Sequence, residues 1–180
     1  YFNGVMVNDT DFAVTNLTMT ADGSGGNDFK GFGACLGAFG QTHLTADGYV
    51  FDGKGAVRHG VFAGGTNPED GLTVSVKNSF IRANGSEYEQ AAEGMSSCPW
   101  MLGISPDGHA RATMCDGYSH VNYEKDILLS DGWGVLSVDD TGDTKAFGTY
   151  AIEMQVKDSV IDVTTDSTED PSCYATYSIG

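Results

Sequence analysis

Helix is what this sequence is least equipped to form. No window of about a dozen residues keeps apolar side chains at i, i+3, i+4 and i+7. Basic residues are also scarce, nine against 25 acids for a net charge of −16. With no basic stripe to displace counterions, nucleic acid and anionic membranes are excluded as partners. An anionic polysaccharide would be held only through bridging calcium. No apolar run approaches the ~18 residues of a membrane-spanning helix, so no membrane insertion is expected. No signal peptide is visible. The four cysteines (Cys35, Cys98, Cys115 and Cys173) lack C-x-x-C spacing, which argues against structural zinc. Their even number permits two disulfides in three pairings, or four buried thiols. His43, His59, His109 and His120 show neither H-x-H nor H-E-x-x-H spacing, and there is no Gly-x-Ser-x-Gly elbow or phosphate loop. No cofactor or metal site is therefore expected. Calcium is the one ion left open, because "DGSGGNDF" (Asp22 to Phe29) half-matches a Gly-Asp calcium nonapeptide.

Period-two alternation is abundant, as in "LTVSVKNSFIRA" from Leu72 and "AIEMQVKDSVIDV" from Ala151. It marks an all-β chain. At 180 residues and 40% apolar, one domain spanning 1–180 is expected. The scattered acids suit the solvated surface of an extracellular or cell-surface protein. Asn8, Asn16 and Asn84 stand in N-x-S/T sequons.

A short pattern recurs: "VTNLTM" from Val14, "VKNSFI" from Val76, "VKDSVI" from Val156 and a weaker "YEKDIL" from Tyr123, with "LTADGY" from Leu44 between the first two. The anchors Val14, Leu44, Val76, Tyr123 and Val156 are 30, 32, 47 and 33 residues apart, and the long gap has room for an insertion loop at 84–97. Each copy reads as a strand, a polar bend and another strand. Asn78 or Asp158 makes the bend, since Asn and Asp tolerate left-handed backbone. Such a unit cannot bury its apolar side alone and must stack on its copies. A second motif follows the turns: "FGACLG", "RHGVFA", "PWMLGIS", "WGVLSV" and "TYSIG". Together they predict a solenoid of about five rungs of ~30 residues with parallel sheets. Several Asp-Gly pairs, which suit hairpins, leave an antiparallel β-sandwich as the alternative.

The V-x-N-S-x-I segments resemble the rungs of right-handed parallel β-helix proteins of the pectate-lyase-like superfamily. "PWMLGIS" (Pro99 to Ser105), "ARAT" (Ala110 to Thr113), "GWGVLS" (Gly132 to Ser137) and "YATYSIG" (Tyr174 to Gly180) are similar to blocks in secreted β-helix proteins of anaerobic bacteria. The resemblance spans nearly the whole chain and implies the fold, without supplying catalytic residues. Neither end shows a cap over its outermost rung, so the chain is expected to be part of a longer solenoid, continued by further chain or a partner.

Aligned by rung, the second motif puts Phe32, His59, Trp100, Trp133 and Tyr177 in one column, with rungs about 4.8 Å apart. Facing outward, the column would bind a glycan or similar small-molecule ligand through Trp100, Trp133, His59 and Tyr177, with Arg58 and Arg111 as hydrogen-bonding forks. Facing inward, it would be an ordinary core stack; alternation does not settle the side. Ligand binding along one sheet face is the leading expectation.

The rival is an enzyme on the same fold: a polysaccharide lyase, glycoside hydrolase or isomerase. Asp139 and Asp140 resemble the aspartate pair of β-helix polygalacturonases, whose Asn-Thr-Asp and Gly-His-Gly segments are absent here. Elimination would use Arg111 as base, with Asp107 and Asp116 near it in sequence. Proton transfer would fall to His109, His120 or Tyr118. The third reading is a structural or adhesive spacer.

Overall fold

A computed structural model describes residues 4–23, 33–55, 58–85, 110–138, 152–164 and 174–179. Each circuit of the chain contributes three strands. The first rung holds β1 (Val5–Asn8), β2 (Asp11–Thr15) and β3 (Thr18–Asp22), and the second β4 (Ala34–Phe39), β5 (His43–Asp47) and β6 (Val50–Lys54). The third holds β7 (His59–Gly65), β8 (Thr73–Lys77) and β9 (Phe80–Asn84), with a short 3-10 turn at Pro68–Asp70 between β7 and β8. The fourth holds β10 (Arg111–Gly117), β11 (Ser119–Glu124) and β12 (Ile127–Ser130), and the fifth β13 (Trp133–Val138), β14 (Ile152–Lys157) and β15 (Val160–Val163). β16 (Tyr174–Ile179) lies against β13 and opens a sixth.

Every pairing among the described strands is parallel. The strands sort by rung position into a first sheet (β1-β4-β7-β10-β13-β16), a second (β2-β5-β8-β11-β14) and a third (β3-β6-β9-β12-β15). This is a right-handed parallel β-helix, and the antiparallel sandwich is overturned: an antiparallel hairpin joins adjacent strands, whereas here each strand pairs with its counterpart one circuit away.

The repeated bends are equivalent corners. Asn16, Asn78, Lys125 and Asp158 carry positive φ of 52°, 52°, 59° and 51°, and Gly48 carries 69°. Left-handed backbone at one position per rung is what Asn, Asp and Gly supply at least cost; Lys125 adopts it without that help. The register corrects one anchor. Val14 pairs with Ala46, and Ala46 with Val76, so the second copy begins at Ala46 rather than Leu44. The error is two residues, which preserves the strand face and hides the slip. The repeat also has a third strand per rung, because the second motif forms the first sheet.

The interior is one continuous apolar cluster. Val61, Val74, Val76, Ile81, Val121, Tyr123, Leu128 and Val135 are all buried in it. Cys35 and Cys115 are buried in the same cluster. Burial pushes Cys35 up to about 11, and drives Cys115 upward as well, leaving both un-ionised at neutral pH. Cys98, Cys173 and most of the 84–97 loop lie outside the described residues.

Candidate functional site

The first sheet departs from simple alternation. A Cβ on Gly60 would strike Ile81 and lie 3.1 Å from Phe51, so this position faces the interior. Val61, the next residue, also belongs to the interior cluster. Two successive inward positions shift the phase of the strand. As a result His59 and Phe62 emerge on the same outward side, their rings 5.6 Å apart at 24°. Gly134 repeats the arrangement in β13, where a Cβ would collide with Ile161 and meet Val163 at 3.2 Å.

Register then assembles the outward face. Ala34, His59, Arg111, Trp133 and Tyr174 form one column. The expected ring column is thereby revised. Arg111 stands between His59 and Trp133, and Trp133 pairs with Tyr174, while Tyr177 pairs with Leu136. Trp100, His109, Asp139 and Asp140 lie outside the described residues, as does Phe32.

Trp133 faces outward yet is 0% exposed, and His59, Phe62, Arg111 and Met114 are buried with it. None of them belongs to the interior cluster; they make a second buried layer on the other side of the sheet. The Arg111 guanidinium carbon sits 5.7 Å from the Trp133 ring centre, within cation–π reach. Arg58 has a different task. Its Nε and Nη1 donate to the carbonyls of Gly23 and Gly33 at 2.9 and 3.1 Å, and Nη2 also donates to Gly23. It ties two parts of the backbone together.

His59 is the anomaly of this layer. Both ring nitrogens are buried without a hydrogen-bond partner. Burial, reinforced by the charges of Arg111 and Arg58, holds the imidazole well below the usual histidine range, so it is neutral. A neutral ring carries one donor and one acceptor nitrogen, and leaving both unmet costs ~1–3 kcal/mol per group.

Toward the C-terminal ends of the strands this face opens. Phe39, Gly64 and Asp116 are half-buried, and Met6 is 42% exposed. Phe39 and Phe62 stack with centroids 5.5 Å apart at 30°. Phe39 pairs with Gly64, and Phe62 with Gly37. A Cβ at Gly64 would lie 2.7 Å from Phe62 and 2.9 Å from Phe39; one at Gly37 would lie 2.8 Å from the Met6 sulfur. Glycine opposite each ring lets the two phenyl groups settle across the sheet as a platform. Sequence reading named Asp116 beside Arg111 but missed Phe39, Phe62 and Met6. The available signal was reciprocal: Gly-x-Phe in β4 against Phe-x-Gly in β7.

The other sequence candidates lie apart from this layer. His120 is on the second sheet, 3.2 Å from Glu153, and His43 Nδ1 is 2.8 Å from Thr73 Oγ1. Among the described residues, no three His, Cys, Asp or Glu side chains gather as metal ligands, and no helix is long and apolar enough to cross a membrane. No family model, curated protein or solved structure matches this chain. What is known of its fold is carried by its own strand register.

Proposed function

We propose that this chain is a β-helix protein of the pectate-lyase-like kind, acting outside the cell or at its surface, and that it binds a glycan on the outward face of its first sheet. His59 carries the reading: a buried, neutral imidazole with both nitrogens unmet is matched by two ligand hydroxyls, one donating to the bare nitrogen and one accepting from the N–H. The half-buried Phe39 ring, backed by the buried Phe62 against which it stacks, supplies the flat apolar surface that a sugar ring covers, and the half-buried Asp116 supplies a polar rim. Arg111 and Trp133 extend the site inward, and Tyr177 continues the Phe62 and Met114 positions into the sixth rung. The charge of −16 favours a neutral glycan, or an acidic one bridged by calcium. The inner layer is closed to solvent, so full engagement is coupled to an opening of that face.

A panel of neutral and acidic glycans, titrated calorimetrically with and without calcium, tests this. At least one should bind, and Phe39→Ala should weaken it about tenfold. No binding from any member leaves the chain a structural spacer.

An enzymatic reading is favoured by one observation, the His59 imidazole in register beside the Arg111 guanidinium, two groups that serve proton transfer and charge stabilisation in one site. A lyase, hydrolase or isomerase using Arg111 would release unsaturated products, reducing ends or an isomerised sugar from the same panel. His59→Gln should abolish that turnover.

A further inference from the structure

The corner after the second sheet repeats one hydrogen-bonding unit, and in two rungs its residue is serine. Ser79 Oγ donates to the Lys77 carbonyl at 2.8 Å and accepts the Tyr49 N–H at 3.0 Å. Ser159 Oγ donates to the Lys157 carbonyl at 2.8 Å and accepts the Asp126 N–H at 3.0 Å. Asp126 occupies the corner between them. Its Oδ1 accepts the Ser79 N–H at 2.8 Å, so the accepting half of the unit is intact. The donating half is missing. An ionised carboxylate has no proton to give, and Oδ2 is buried without a hydrogen-bond partner in a residue only 1% exposed.

We infer that Asp126 is a proton-operated clamp: in a mildly acidic medium Oδ2 takes up a proton, donates it in a hydrogen bond to the Glu124 carbonyl as Ser79 and Ser159 do to Lys77 and Lys157, and tightens the stack.

The surroundings favour that proton. Within its own turn Asp126 faces the Glu124 carboxylate and the buried Tyr123, and its neighbour Lys125 is 3.8 Å from Glu124. The preceding rung presents neutral Ser79, its Lys77 being engaged with Asp47 at 3.3 Å. The following rung presents neutral Ser159, with Lys157 3.7 Å from Glu124. Burial, aided by the Glu124 charge, pushes Asp126 up to about 6, against the opposing pull of the Ser79 and Glu124 backbone. The folded chain thus holds this proton more tightly than the unfolded chain, where the group titrates near 3.8. Its contribution to stability is complete below about pH 4 and is lost as pH rises through about 6. A carboxylate that forms an ion pair on folding has the opposite sign.

Urea midpoints of the intact chain, Asp126→Asn and Asp126→Ser from about pH 4.5 to 7.5 test the clamp, because their difference cancels every other titrating group. Asparagine carries donor and acceptor at every pH, and serine copies the adjacent rungs. Both variants should exceed wild type at the alkaline end, and the gap should close as pH falls below about 6. Parallel profiles, or a wild type more stable than both variants at the alkaline end, overturn the proposal. Should neither variant fold, the carbon-13 carboxyl signal of Asp126 in the wild-type chain decides: a titration midpoint at about 5 or above supports the clamp, and a lower one overturns it.

Discussion

The first and second sheets run through the same rungs, yet they treat their outer faces differently. In β8 and β11, buried Val74, Val76, Val121 and Tyr123 alternate with half-buried or exposed Thr73, Ser75, His120 and Asn122. In β7 and β10, both faces are buried over most of the strand. The second sheet is scaffold on one side and solvent on the other. The first is scaffold on both, and its outer layer contains polar groups that packing alone does not explain.

The largest test of this contrast is a pair of truncations at outward positions. Trp133→Ala should cost about 4 kcal/mol, as removing a buried tryptophan does, whereas Asn122→Ala on the second sheet should stay within about 0.5 kcal/mol. Urea unfolding of the two variants measures the difference. Equal effects would erase the distinction between the sheets.

A second test uses pH. The His59 ring is held well below its ordinary value by burial, then by Arg111 and Arg58. A depressed histidine contributes stability above its unfolded value of about 6.5 that is lost as pH falls toward the folded value. Wild type should therefore lose stability relative to His59→Leu as the medium is acidified, opposite in sign to the effect of Asp126. Melting curves across that range would show it, and His59→Leu should melt higher at every pH, because a polar group without partners has been replaced by an apolar one.

The smallest expected effect lies at the corners. Asn78→Ala should cost about 1–2 kcal/mol from left-handed backbone, together with the loss of the Asn78 Nδ2 hydrogen bond to Asp47 at 2.8 Å. Asn78→Gly should lose less, since glycine takes this backbone freely. Thermal melts rank the two variants.

The same contrast explains what could be read in advance. "VKNSFI" and "VKDSVI" were legible because a period-two strand, a left-handed bend and another strand leave a mark in residue order. The outer layer left little beyond the reciprocal Gly-x-Phe and Phe-x-Gly of β4 and β7. "RATMCDG" shows no sustained alternation of burial, since both faces of its strand are buried, and in β7 and β13 Gly60 and Gly134 shift the phase. Aligning Trp133 with Tyr177 by aromatic identity missed the true partner, Tyr174, by three residues. Arg111 was read as a fork beside the ring column because nothing local signals that it stands within it. Asp126 was passed over because, from sequence, an acidic residue after a lysine reads as surface charge.

The corner ladder has one more consequence. From Tyr49 to Ser79 to Asp126 to Ser159, each amide hands its hydrogen to the side chain of the succeeding circuit, never the reverse. The column is therefore an arrow, and its two tips are chemically unlike. Anything that prolongs it, whether more of the same polypeptide or a separate molecule, must share its heading, so any filament built this way would be polar from its first joint.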